Sequence, residues 1–138
     1  VVQNESKMDS EALPLKNMPL FLERAIALAV KDFEAASTEV GPVFFDRSLV
    51  DLILAYEHFT GSTKFQDMLT KVHYVSKLYF TPPWPEIYVN DAERKHSLGD
   101  AINEYRRLEV GYPKFGYEIF VLPKTSVEKR VKIIIDNL

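Results

Sequence analysis

The sequence predicts an α/β domain in which a parallel sheet is covered by helices on both faces. Three apolar runs, at residues 43–45, 74–80 and 116–123, are rich in β-branched and aromatic residues and too short for helices. Around them lie segments whose apolar residues recur at spacings of three and four, the period of a helix with one buried face. Strands that alternate with helices in this way favour parallel pairing through helical crossovers.

Taken in order, the chain opens on Val1-Val2, with no initiator methionine, as a strand already under way. Residues 3–16 are polar, lack a period and read as a loop. Asn17 is placed to cap a helix whose first turn accepts Pro19. Phe21, Leu22, Ala25, Ile26, Leu28, Ala29 and Phe33 give this helix a wide apolar stripe. Gly41-Pro42 punctuates the start of Val43-Phe44-Phe45, expected to be a buried strand that delivers Asp46 and Arg47 at its carboxyl end.

Ser48 and Asp51 have capping-box spacing ahead of a second helix carrying Leu49, Leu52, Ile53, Tyr56 and Phe59. Gly61 is suited to end it in the left-handed conformation. Thr63 and Gln66 repeat the capping pattern before a short helix with Phe65, Met68, Leu69 and Val72. The strand at 74–80 is stopped by Pro82-Pro83-Trp84-Pro85, since proline cannot continue an interior ladder. Ser97 and Asp100 open a helix bearing Leu98, Ala101, Ile102, Tyr105 and Leu108, with Arg94, Lys95, Arg106 and Arg107 lending local positive charge. After the strand at 116–123, Thr125 with Glu128 is expected to cap a last helix that turns Val127, Val131, Ile134, Ile135 and Leu138 inward.

At 138 residues the chain fits one domain, spanning 1–138, with room for one substantial core. A formal charge of −3 argues against a broad nucleic-acid surface, so any anion site must be local. The absence of cysteine removes disulfides, thiolate metal sites and thiol nucleophiles, and is compatible with the cytoplasm. No apolar stretch approaches the roughly 20 residues of a membrane-spanning helix. His58, His73 and His96 are isolated from one another, and no Gly-x-Ser-x-Gly occurs, so neither a zincin site nor a nucleophile elbow has support.

Two readings of residues 41–51 stay open at this point. An acid and an arginine at the carboxyl end of a parallel strand stand where such sheets bind ligands. Alternatively, Asp46 and Ser48 only cap the helix and Arg47 lies on the surface. Trp84 likewise belongs either to a site on the same edge or to a hydrophobic plug.

Together, Phe44-Phe45-Asp46-Arg47 with Asp51, the run from Pro82-Pro83-Trp84 to Asp91-Ala92-Glu93-Arg94, and Gly116-Tyr117-Glu118 through Pro123 to Arg130-Val131 point to one family. In these motifs the chain resembles the AAA-domain-like P-loop ATPases, relatives of the nucleoside and thymidylate kinases, from about Leu13 to the carboxyl terminus. The resemblance implies a three-layer fold around a five-stranded parallel sheet in the order 2-3-1-4-5, with ATP and Mg²⁺ as ligands. It implies that Asp46 holds the Mg²⁺ shell or accepts a proton from the attacking group. It implies that Arg47 contacts the transferring phosphoryl group, where a planar fork of donors suits phosphate oxygens. Arg94, with Lys95 as the weaker candidate, would belong to a lid that closes over the phosphates. A nucleotide and a small-molecule acceptor are the implied partners. A non-catalytic protein-interaction module on a degenerate P-loop scaffold is the alternative.

The chain departs from the family pattern in two places. Position 48 is Ser where the family usually has Gly. No Gly-x-x-x-x-Gly-Lys-Ser/Thr occurs either: of the glycines at 41, 61, 99, 111 and 116, the last two have the right separation but are followed by Tyr117-Glu118. The expectation is therefore a βα unit of roughly 30 residues upstream of Val1, carrying the first strand and phosphate loop. Further residues are expected to be missing between Val2 and Leu13.

Overall fold

The computed structural model describes residues 17–87 and 97–138, in two compact units that divide after Tyr74. In the first unit, helix α1 (Met18–Ala36) packs against helix α2 (Leu49–Thr60), and a 3₁₀ turn, Gln66–Thr70, follows. Asn17 caps α1 as expected, its side-chain oxygen accepting the Leu20 amide at 3.1 Å. Gly61 ends α2 with φ 74°, and its amide donates to the Glu57 carbonyl at 2.7 Å.

The core of this unit lies between the two helices. Leu22 and Ile26 of α1 are buried, and Leu49, Val50 and Ile53 of α2 are at most 1% exposed. The buried face of α2 also takes in Leu54 and Tyr56, whereas Phe59 is half exposed at 51%. The rim is tied by polar contacts: the Tyr56 hydroxyl donates to Glu23 Oε1 at 3.1 Å, and Lys64 Nζ reaches the same carboxylate at 3.2 Å. Lys64 also stands 5.4 Å from the Tyr56 ring centroid and 5.0 Å from that of Phe65. Its hydrogen bond to Tyr56, then that to Glu23, holds the ammonium pKa above its ordinary value.

The second unit is built on a parallel pair, β1 (Lys77–Phe80) and β2 (Glu118–Val121), in register from Lys77↔Glu118 to Phe80↔Val121. A 3₁₀ turn, Pro85–Ile87, follows β1, and helix α3 (Leu98–Lys114) lies between the strands in sequence and packs on β2. Parallel neighbours require such a crossover, because a tight hairpin can only join antiparallel strands. The α3 N-terminus carries the expected capping box: Ser97 Oγ accepts the Asp100 amide at 3.1 Å and Asp100 Oδ2 accepts the Ser97 amide at 3.3 Å. Tyr105, Leu108 and Tyr112 share one stripe of α3. Phe80 meets Tyr105 and Tyr112 edge-to-face, both at 5.5 Å, and Tyr112 meets Tyr117 in the same manner. Gly116, with φ 88°, makes the left-handed turn into β2 that a β-carbon would oppose. Helix α4 (Val127–Asp136) completes the unit.

Several expectations are corrected. Residues 43–45 form no strand, and Val43, Phe44 and Phe45 are 42%, 64% and 38% exposed rather than buried. A strand exists only through its ladder, and none of the described residues pairs with this run. The second strand is shorter than 74–80, beginning at Lys77. Residues 66–70 form a 3₁₀ turn without a Thr63 side-chain cap, and the Gln66 amide group donates to Glu57 Oε2 instead, at 2.8 Å. The cap of α4 is Ser126 rather than Thr125, its hydroxyl accepting the Lys129 amide at 3.3 Å.

The largest correction concerns α4 itself. Val127, Val131, Ile135 and Leu138 are 45–68% exposed, and no residue of the helix is buried. Its amphipathic period is real, but the surface that would cover this line is not among the described residues. Likewise, the sheet seen in them has two strands, so of the expected order 2-3-1-4-5 only the adjacency of the last two is observed.

Candidate functional site

In the first unit, Asp46 and Arg47 lie in the bend just before α2, both exposed. Arg47 adopts φ 69°, the one non-glycine residue with positive φ among those described. That conformation brings the β-carbon close to the following carbonyl and costs an L-residue about 1–2 kcal/mol. Backbone strain of this kind gathers at functional sites.

Local polar bonds hold the bend. Ser48 caps α2 by accepting the Val50 amide at 3.1 Å, and the Tyr74 hydroxyl accepts the Leu49 amide at 3.1 Å. Arg47 Nη1 turns back to Asp51 Oδ2 at 3.3 Å, while the Ser48 hydroxyl lies 3.5 Å from Asp51 Oδ1. The arginine side chain is 59% exposed and the aspartate 12%, so the pair is half wet and contributes at most about 1 kcal/mol. Asp51 was legible as a capping residue. Its second role, as ion-pair partner of Arg47, was not legible, because Arg47 lies before the helix in a bend of positive φ where helical spacing does not apply.

Arg94 and Lys95 lie outside the described residues. Among those described, no group of three His, Cys, Asp or Glu side chains could enclose a metal, so Asp46 offers a single exposed carboxylate. One such carboxylate would supply Mg²⁺ with a single protein ligand, leaving its other octahedral positions to water and phosphate oxygens.

A second constellation belongs to the other unit. Trp84 follows β1 and Arg130 stands in the first turns of α4, both half buried, and the guanidinium carbon lies 5.7 Å from the tryptophan ring centroid. The Arg130 Nε is buried with no hydrogen-bond acceptor among the described residues, as is that of Arg107 on α3. The sequence pointed only weakly to this pair: Trp84 could be a plug, and Arg130 stood out merely as part of a motif. Their 46-residue separation hides a contact that depends on the parallel strands ending side by side.

A parallel strand pair joined through a helix is the βαβ unit of α/β proteins. A family model described as AAA domain matches residues 1–130, and the chain belongs to that family. Membership makes it P-loop NTPase-like, a class that binds nucleotides. No curated protein and no solved structure matches the chain significantly. Among the described residues, no helix is long and apolar enough to cross a membrane.

Proposed function

We propose that the chain supplies the acid–arginine corner of an ATP-binding P-loop NTPase, acting as an ATPase or a small-molecule-kinase-like phosphotransferase with Mg²⁺. The observation that carries this reading is the left-handed Arg47, held between Asp46 and a capped helix start in a chain matched to the AAA domain family. Strain stored at an exposed arginine has no evident packing role, and a positioned fork of donors is what phosphoryl transfer asks of a protein.

Bound Mg²⁺ would neutralise charge on phosphate oxygens, and Asp46 is the carboxylate offered to it. In the alternative role, Asp46 would instead accept a proton from the attacking hydroxyl or water. Arg47 gives up Asp51 and takes phosphate oxygens, exchanging one charge-assisted bond for a stronger bidentate one. Arg94 is assigned to the lid, with Lys95 as its weaker neighbour. The acceptor is water, a nucleoside or another small molecule. The reading requires a phosphate loop, which the 138 residues do not contain.

The test is Mg²⁺-ATP binding by calorimetry, followed by turnover. Arg47→Ala is expected to retain binding and to lower turnover at least about a hundredfold, the lower end of the loss on removing one transition-state donor. An unchanged rate overturns the phosphoryl role of Arg47. The exposed apolar line of α4 favours a second reading, a protein-interaction module on a degenerate P-loop scaffold. That reading expects no heat from ATP.

A further inference from the structure

We propose that the Trp84–Arg130 pair is a stacking platform for the base of the nucleotide. The inference rests on the nucleotide reading for its choice of ligand, and on the second unit alone for its place. β1 and β2 are parallel and end in register at Phe80 and Val121, so the segments leaving them share one edge of the sheet. Ligands of open parallel sheets bind at that edge. From β1 comes Thr81-Pro82-Pro83-Trp84, where two prolines stiffen the approach to the indole. From β2 comes the Ser126-capped start of α4, whose fourth residue is Arg130.

The guanidinium lies within the distance at which a cation is held by an indole face, so each side chain limits the other's freedom before any ligand arrives. The ring is only half buried, which leaves indole surface for a visitor. The Arg130 Nε is buried without a hydrogen-bond acceptor, so the guanidinium keeps donor capacity that no described residue takes up. A phosphate would use the arginine and ignore the tryptophan; an aliphatic ligand would do the reverse. A purine satisfies both, with a flat π-face for the half-exposed indole and ring nitrogens on its edge as acceptors for the guanidinium.

Trp84 is the single tryptophan of the sequence, so its emission reports the platform directly. The full-length protein is titrated with adenosine, ATP and inorganic tripolyphosphate, following fluorescence against a Trp84→Phe baseline, with calorimetry in parallel. Adenosine and ATP are expected to quench Trp84 saturably, and tripolyphosphate is expected to leave its emission unchanged. Trp84→Leu and Arg130→Ala are each expected to weaken adenosine about tenfold, the usual loss for one stacked base. Arg130→Lys, which keeps the charge but lacks the plane and the Nε donor, is expected to behave like Arg130→Ala.

ATP binding seen by calorimetry, with no quenching and unchanged affinity in Trp84→Leu, overturns the platform and leaves the nucleotide reading standing. Quenching by tripolyphosphate equal to that by ATP, or full affinity in Arg130→Lys, also overturns it. Absence of heat from both ATP and adenosine overturns the nucleotide reading and the platform together.

Discussion

The two units solve the burial problem unequally. In residues 17–74 two helices close their apolar faces on each other, and Leu49 and Val50 are entirely buried. In residues 75–138 the aromatic cluster of Phe80, Tyr112 and Tyr117 is well covered, yet the apolar line of α4 remains open. A helix hides a single stripe, so one partner helix suffices. A parallel sheet presents two faces and two edges, and two strands with one packed helix cannot cover them all. Local amphipathicity therefore announces which residues want burial without naming what will bury them.

The largest effect that would break this comparison is expected in the first unit. Ile53→Ala removes a side chain that is 1% exposed and should destabilise by about 2–5 kcal/mol in urea unfolding followed by circular dichroism. A loss below about 1 kcal/mol would show that the interface between α1 and α2 is loosely packed.

A smaller effect concerns the second unit at alkaline pH. Tyr105 lies against Phe80, and burial, followed by the charge of Glu109, raises its phenol pKa above the ordinary 10.0. The unfolded chain releases this proton first, so the contribution is complete below about pH 10 and is lost as pH rises through the folded value. Urea midpoints followed at Trp84 should fall as pH rises above about 10 in the native protein, and fall less in Tyr105→Phe. Equal slopes would remove Tyr105 from the account. Lys64, whose pKa is also raised, acts in the same direction in the first unit, which makes the Tyr105→Phe difference the informative quantity.

The smallest effect sharpens the comparison at α4. Ile135, 57% exposed, should tolerate Ile135→Ser within about 0.5 kcal/mol, as surface positions do. A loss near that of Ile53→Ala would mean that α4 is covered in solution.

Much of the fold was legible because it rests on short-range physics. Asn17, Ser48, Ser97 and Gly61 act at the helix ends where their side chains or backbone freedom suit them, since capping needs only three or four neighbouring residues. The shift of the α4 cap from Thr125 to Ser126 is the ordinary ambiguity between adjacent hydroxyls. The strand assigned to residues 43–45 failed for a different reason. Val43-Phe44-Phe45 has the composition of a strand, but a ladder requires a partner from elsewhere, and composition does not supply one.

The candidate site divides along the same line. Asp46, Arg47 and Asp51 stand out as charges breaking an apolar pattern, but the Arg47–Asp51 pair depends on the bend that precedes α2. The positive φ of Arg47 was not legible, because most sequences avoid that conformation and only the surrounding bend imposes it. By itself the sequence determined the four described α-helices, the caps of three of them and the apolar residues that seek cover, all set by interactions within one or two turns. Only the tertiary structure decided which of those residues find cover, and that Arg130 meets Trp84, because both depend on two distant strands pairing in parallel register.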